Sequence, residues 1–141
     1  DFDKVKEKTK DNPVFYVQYA FARINSLHRT LNISLNSKTS LNEENFNLNF
    51  IEEKIIRKIF EWPKIIESAS KKYEIHKISF YLYELSTLFH SYWSKGNKDK
   101  NYKFIENDKI KKVEILAILN LITIVIQNGM SILGVSLPKK M

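Results

Sequence analysis

The chain has 141 residues, a formal charge of +7, 43% hydrophobic and 28% charged residues, and no cysteine. That balance excludes a disordered chain, and the missing cysteine excludes a disulfide framework, a thiolate zinc site and a cysteine nucleophile. The length suits one domain able to bury roughly two-thirds of its unfolded surface, and three glycines and three prolines leave little material for hairpins, which favours helices.

Nearly all the cations are lysine, and a positive balance suits an anionic partner such as nucleic acid or an acidic membrane surface. The alternative is a composition rich in Lys, Asn and Ile imposed by an AT-rich genome. Residues 1–10 (DFDKVKEKTK) are charged and hold no apolar core of a signal peptide. With no cysteine, this fits a reducing, cytoplasmic compartment and leaves the Asn32-Ile33-Ser34 sequon without meaning.

The first helix is expected from Pro13 to about Leu31, because Asn12 can cap free N–H groups and Pro suits the first helical position. At about 100° per residue, Val17, Ala20, Ile24, Leu27 and Leu31 fall within about 80° of one another as a core stripe. Phe21 and Val14 widen it. Tyr16, Tyr19 and Arg23 form an adjacent strip spaced i, i+3, i+7, and Gln18, Asn25 and Arg29 make a polar back. Residues 32–49 (NISLNSKTSLNEENFNLN) read as a polar loop.

Asn49 with Glu52 three residues on, before apolar Ile55, Ile56, Ile59 and Phe60, signals a second helix start. Trp62-Pro63 interrupts that helix, and another is expected from Pro63 to about Tyr73. A longer one follows from about Ile75 to Ser94, with Ile78, Leu82, Leu85 and Phe89 at core spacing. SKGNKDKNYKFIEND reads as a second polar connection. The last helix is expected from about Asp108 to Gln127. Its apolar run VEILAILNLITIVI is fourteen residues with Glu114, Asn120 and Thr123 inside it. That is short of the roughly 20 that a spanning helix needs, so a buried core helix is expected. Gly129 permits a break before the tail MSILGVSLPKKM. Repeats and strand-period segments are not evident. The fold class is all-α, a helical bundle of about five helices in a single domain over residues 1–141.

Catalytic chemistry finds no footing. The three histidines, His28, His76 and His90, lack any metal spacing and read as helix-surface or half-buried residues. Glu43, Glu44, Glu52 and Glu53 read as solvated, and no Gly-rich phosphate loop exists. His90-Ser91 project about 100° apart on a helix. The strip of Tyr16, Tyr19 and Arg23 is different. It suits stacking of unpaired bases with a guanidinium on phosphate or base edge, or else packing against a neighbouring helix with hydroxyls at the rim. A second aromatic cluster, FHSYW at 89–93, precedes Lys95, Lys98, Lys100 and Lys103. Tyr92 and Trp93 point to different faces, so at least one of them is expected to leave the core.

At these residues the chain resembles a known family. NPVFYVQYAFAR is similar to the NPVYYVQYAHAR-type signature that opens the C-terminal DALR anticodon-binding domain of arginyl-tRNA synthetases. The likeness continues through FYLYELSTLFHSYW and SKGN…KFI to NGMSILGVSLPKKM, which resembles the family's GLxLLGVxAPERM ending. The resemblance implies an all-helical bundle gripping the anticodon stem-loop of tRNA-Arg. Tyr16 and Tyr19 match loop-contacting tyrosines, Arg23 their basic partner, Trp93 the aromatic near the end of the middle long helix, and Met141 the terminal methionine near the anticodon loop. Phe21 stands where the family usually has His, and Ile115 where it often has Arg.

The resemblance further implies an upstream catalytic domain in the same chain, with ATP and magnesium serving that parent ligase. The present chain is then a C-terminal fragment with no cofactor and no catalysis of its own, expected as a monomer without membrane partners. A helical protein-interaction domain with a basic, aromatic surface is the alternative. Peripheral membrane binding through Lys and aromatics is a third.

Overall fold

The computed structural model describes residues 12–33 and 46–141. The charged leader 1–10, Glu43, Glu44, Ser34 of the sequon and most of the first polar loop lie outside the described residues.

Helix α1 spans Pro13–Thr30, and the Asn12 side chain accepts a hydrogen bond from Val14 N at 3.1 Å, so the expected cap forms. Its stripe is buried at Val17, Ala20, Phe21, Ile24 and Leu27, with Leu31 only partly covered. Asn25, expected on the polar back, is instead buried. Its Nδ2 donates to Phe21 O at 2.9 Å, which satisfies one donor inside its own helix.

Helix α2 spans Phe50–Phe60 and opens on a complete capping box between Asn49 and Glu52. Helix α3 spans Trp62–Lys72, separated from α2 by Glu61 alone. Pro63 has no N–H to give Ile59 O, which accounts for so small a break at the expected place. Ile55 and Ile59 are buried, but Phe60, expected on the apolar face, is 76% exposed at the end of its helix.

Helix α4, His76–Lys98, is the central element and packs against α1, α2, α3 and the last helix. It runs a turn past the expected end, taking in SKGNK. Ile78, Leu82, Leu85 and Phe89 are all buried, as their spacing predicts. A 3-10 turn at Lys100–Tyr102 leads to a hairpin absent from the sequence-based expectation. Strand β1 (Ile105–Glu106) pairs antiparallel with β2 (Lys109–Ile110). Two-residue strands show no alternation to detect. Their signal was the turn, where Asn107 and Asp108 take φ of 52° and 60°, the left-handed pair of a tight hairpin.

Helix α5 spans Val113–Leu133, starting and ending later than expected. It passes through Gly129, which packs on Leu82, and stops at Gly134, whose φ of 68° lets Val135 N bond to Met130 O at 2.9 Å. At 21 residues and mean hydropathy 1.9 it is long and apolar enough to cross a membrane. Burial identifies it here as a core helix, because Ile115, Ile118, Leu119, Ile122, Val125, Ile126 and Met130 are enclosed by the bundle. Phe21 and Ile115, the two departures from the family pattern, are each 2% exposed.

Glu52 corrects the expectation of a solvated carboxylate, being fully buried. It accepts from Tyr92 Oη at 2.6 Å and Asn49 Nδ2 at 2.8 Å, and pairs with Lys112 Nζ at 2.6 Å. This network ties the start of α2 to α4 and to the residue capping α5.

Candidate nucleic-acid interface

The aromatic strip of α1 faces the C-terminal half of α4. There the Arg23 guanidinium lies over two rings, 4.5 Å from the Tyr19 centroid and 4.8 Å from that of Trp93. Its Nη2 donates to Tyr19 Oη at 2.7 Å and its Nη1 to His90 Nδ1 at 3.3 Å. Because guanidinium can only donate, Nδ1 must be the accepting nitrogen. The imidazole proton then sits on Nε2, which donates to Tyr16 O at 3.1 Å.

His90 is thus a neutral two-sided bridge between Arg23 and the α1 backbone. It is 6% exposed, contrary to the expected surface or half-buried position. Burial, with a smaller contribution from the Arg23 charge, pushes its pKa down to about 4, against the opposing Tyr16 hydrogen bond. His28 is likewise buried. Its Nδ1 donates to Ile24 O at 2.8 Å and its Nε2 meets the Asn120 carboxamide at 3.0 Å, joining α1 to α5. Only His76 is exposed, and no cluster of metal-binding side chains occurs among the described residues.

Residues 135–141 fold back along α1. Gln18 Nε2 donates to Ser136 O at 2.8 Å and Arg29 Nη1 to Lys139 O at 3.0 Å. This return brings Met141 and Lys140 beside Tyr19, Arg23 and Trp93 around an open cleft of about 690 Å³. Four of the five residues singled out in the sequence therefore line one cavity. Tyr16 does not line it; its ring packs 4.3 Å from His90 and 5.3 Å from Tyr83. Tyr92 is buried and Trp93 half-buried, so Trp93 is the member of that pair that leaves the core.

Two engaged N–H groups leave Arg23 further donors, and no carboxylate pairs with it among the described residues. Chemically the cleft offers aromatic faces, a rigidly held guanidinium, flanking cations and the hydroxyl-bearing Ser26 and Thr30. His90 was missed at the sequence level. Its one signal was its place three residues before Trp93 on the same helix.

A family model described as the DALR anticodon binding domain matches residues 17–141. The chain is 48% identical over 141 residues to the arginine–tRNA ligase of Pelagibacter ubique, covering 100% of the chain and 24% of that protein. It is 37% identical over 148 residues to the arginine–tRNA ligase of Rhizobium meliloti, covering 100% of the chain and 25% of that protein. The chain thus spans about a quarter of the length of the curated relatives it matches. In fold it is similar to a Campylobacter jejuni crystal structure described as an arginyl tRNA synthetase, with a TM-score of 0.78 at 20% identity, over 100% of this chain and 29% of that one.

Proposed function

Because this chain belongs to the DALR anticodon-binding domain family, we propose that it recognises the anticodon loop of tRNA-Arg on behalf of a longer arginine–tRNA ligase. The observation that carries this reading is the convergence of Tyr19, Arg23, Trp93 and Met141 on one cleft. Unpaired bases stack on aromatic rings, and a locked guanidinium donates to base edges or phosphate. Tyr16 serves from behind, its carbonyl holding His90 and its ring supporting the strip. Lysines add phosphate contacts that weaken with salt.

The domain's part is specificity and positioning. Loop binding would set the acceptor end in a catalytic domain elsewhere in the same chain, where ATP with magnesium would drive attachment of arginine. The ligase acts in the cytoplasm, and this domain's role in it is recognition.

The test is binding of a tRNA-Arg anticodon hairpin against one with the same stem and a permuted loop, across a salt series. The matched loop is expected to bind at least tenfold more tightly, with both affinities falling as salt rises. Equal binding would leave only a general basic surface. Absence of binding to either would favour a protein-interaction domain.

A further inference from the structure

A second recess, about 200 Å³ in volume, adjoins the cleft and shares Leu27, Trp93 and Ile105 with it. Its other walls come from the last turn of α4 and the segment after it, among them Gly96, Asn97, Lys103 and Phe104. The recess is a built feature. A Cβ on Gly96 would sit 2.8 Å from Tyr102 O, so only glycine lets that backbone come down so close to α4. Phe104 locks the segment in place, its ring 4.6 Å from Tyr92 and 5.7 Å from Trp93, and its carbonyl accepting from Lys111 N at 2.8 Å.

The chemistry inside is selective. The volume falls below the roughly 300–1,000 Å³ of drug-sized sites and suits a single flat ring system. Trp93, Phe104 and Ile105 supply apolar walls. Asn97 and Lys103 are exposed, and their side chains make no hydrogen bond or ion pair with the described residues. A free carboxamide both donates and accepts, as the edge of a base requires, and a free ammonium suits a phosphate.

We propose that this recess takes a second unpaired nucleobase, the chain neighbour of the one held at Tyr19, Arg23 and Trp93. Asn97 reads its edge and Lys103 neutralises its phosphate. Trp93 belongs to both cavities and partitions the two bases. This rests on the anticodon-loop reading, because only a loop with adjacent splayed bases fills both spaces at once.

The experiment measures binding of the tRNA-Arg anticodon hairpin with each loop position made abasic in turn, to the unaltered chain and to Asn97→Ala, Asn97→Asp and Tyr19→Ala. Thermal melting checks that each variant folds. The unaltered chain should lose roughly tenfold in affinity at each of two neighbouring positions. In Asn97→Ala, and in the near-isosteric Asn97→Asp, one of those losses disappears and the other persists. Tyr19→Ala reverses the pattern. A single sensitive position, or an Asn97 effect spread evenly over the loop, overturns this inference and leaves the anticodon reading standing. No binding of the hairpin by the unaltered chain overturns both.

Discussion

Arg23 and His90, sixty-seven residues apart, meet at 3.3 Å, and the contact has one possible polarity: the guanidinium donates and the imidazole accepts. Arg23 is thereby aimed by a residue that lines neither the cleft nor the second recess. His90→Phe keeps the ring packing and removes both hydrogen bonds. It is expected to weaken hairpin binding about tenfold, or ~1.4 kcal/mol, by releasing Arg23. In an Arg23→Met background the same change should cost little further. A double-mutant cycle on hairpin affinity checks this, and additive losses would show that His90 does not act through Arg23.

The same histidine makes stability depend on pH. Its folded pKa of about 4 lies below the ordinary value of 6.5, so the fold favours the neutral ring. Its contribution is complete above pH 6.5 and declines as pH falls through 4, because the unfolded chain takes up the proton first. The difference is on the order of 3 kcal/mol. Denaturant unfolding between pH 7 and pH 4 should show this loss in the unaltered chain and a flatter profile in His90→Phe.

Glu52 is expected to govern stability without touching the cleft. Glu52→Ala takes the acceptor from the buried Tyr92 hydroxyl, leaves the Lys112 ammonium with Asn47 O as its one protein acceptor among the described residues, and removes half a capping box. The expected loss is roughly 3 kcal/mol, read as a fall of roughly 10 °C in Tm. Glu52→Gln retains the capping interaction and should lose less.

Tyr19→Ala and Trp93→Ala should each weaken matched-loop binding by roughly 1–3 kcal/mol while the domain still melts cooperatively. Trp93 also packs on Phe89 and Phe104, so its variant should melt lower than that of Tyr19. If both variants unfold, these rings serve packing and not recognition.

Removing residues 139–141 takes Met141 and Lys140 from the cleft and the Lys139 carbonyl from Arg29. Affinity for the matched hairpin should fall about tenfold, with little change in Tm, since these residues lie exposed on the surface. Unchanged affinity would remove the tail from the proposed interface.

The helices were legible because their signals are local. Asn12 before Pro13, the Asn49–Glu52 pair, and the spacing of Ile78, Leu82, Leu85 and Phe89 each act within a few residues of themselves. The separation of Tyr19 and Arg23 from the core stripe could be read the same way, whereas the choice between Tyr92 and Trp93 came only from the burial of Tyr92. Boundaries near Lys98 and Leu133 slipped because a polar surface turn and a passing glycine are tolerated once one face of a helix is anchored. The hairpin at 105–110 escaped because two-residue strands have no period.

The sequence by itself determined an all-helical chain with an aromatic and cationic strip beside its core, since capping and periodicity depend on neighbours three or four residues away. Only the tertiary structure decided where that strip sits and what it touches. The docking of α1 on α4 turned Tyr16 against His90 and Tyr83, set Arg23 between Tyr19 and Trp93, and buried the histidine that aims it. The return of the tail then brought Met141 to the same cleft. Which side chains stay accessible depends on how helices distant in sequence pack against each other, and helical periodicity carries no record of that rotation.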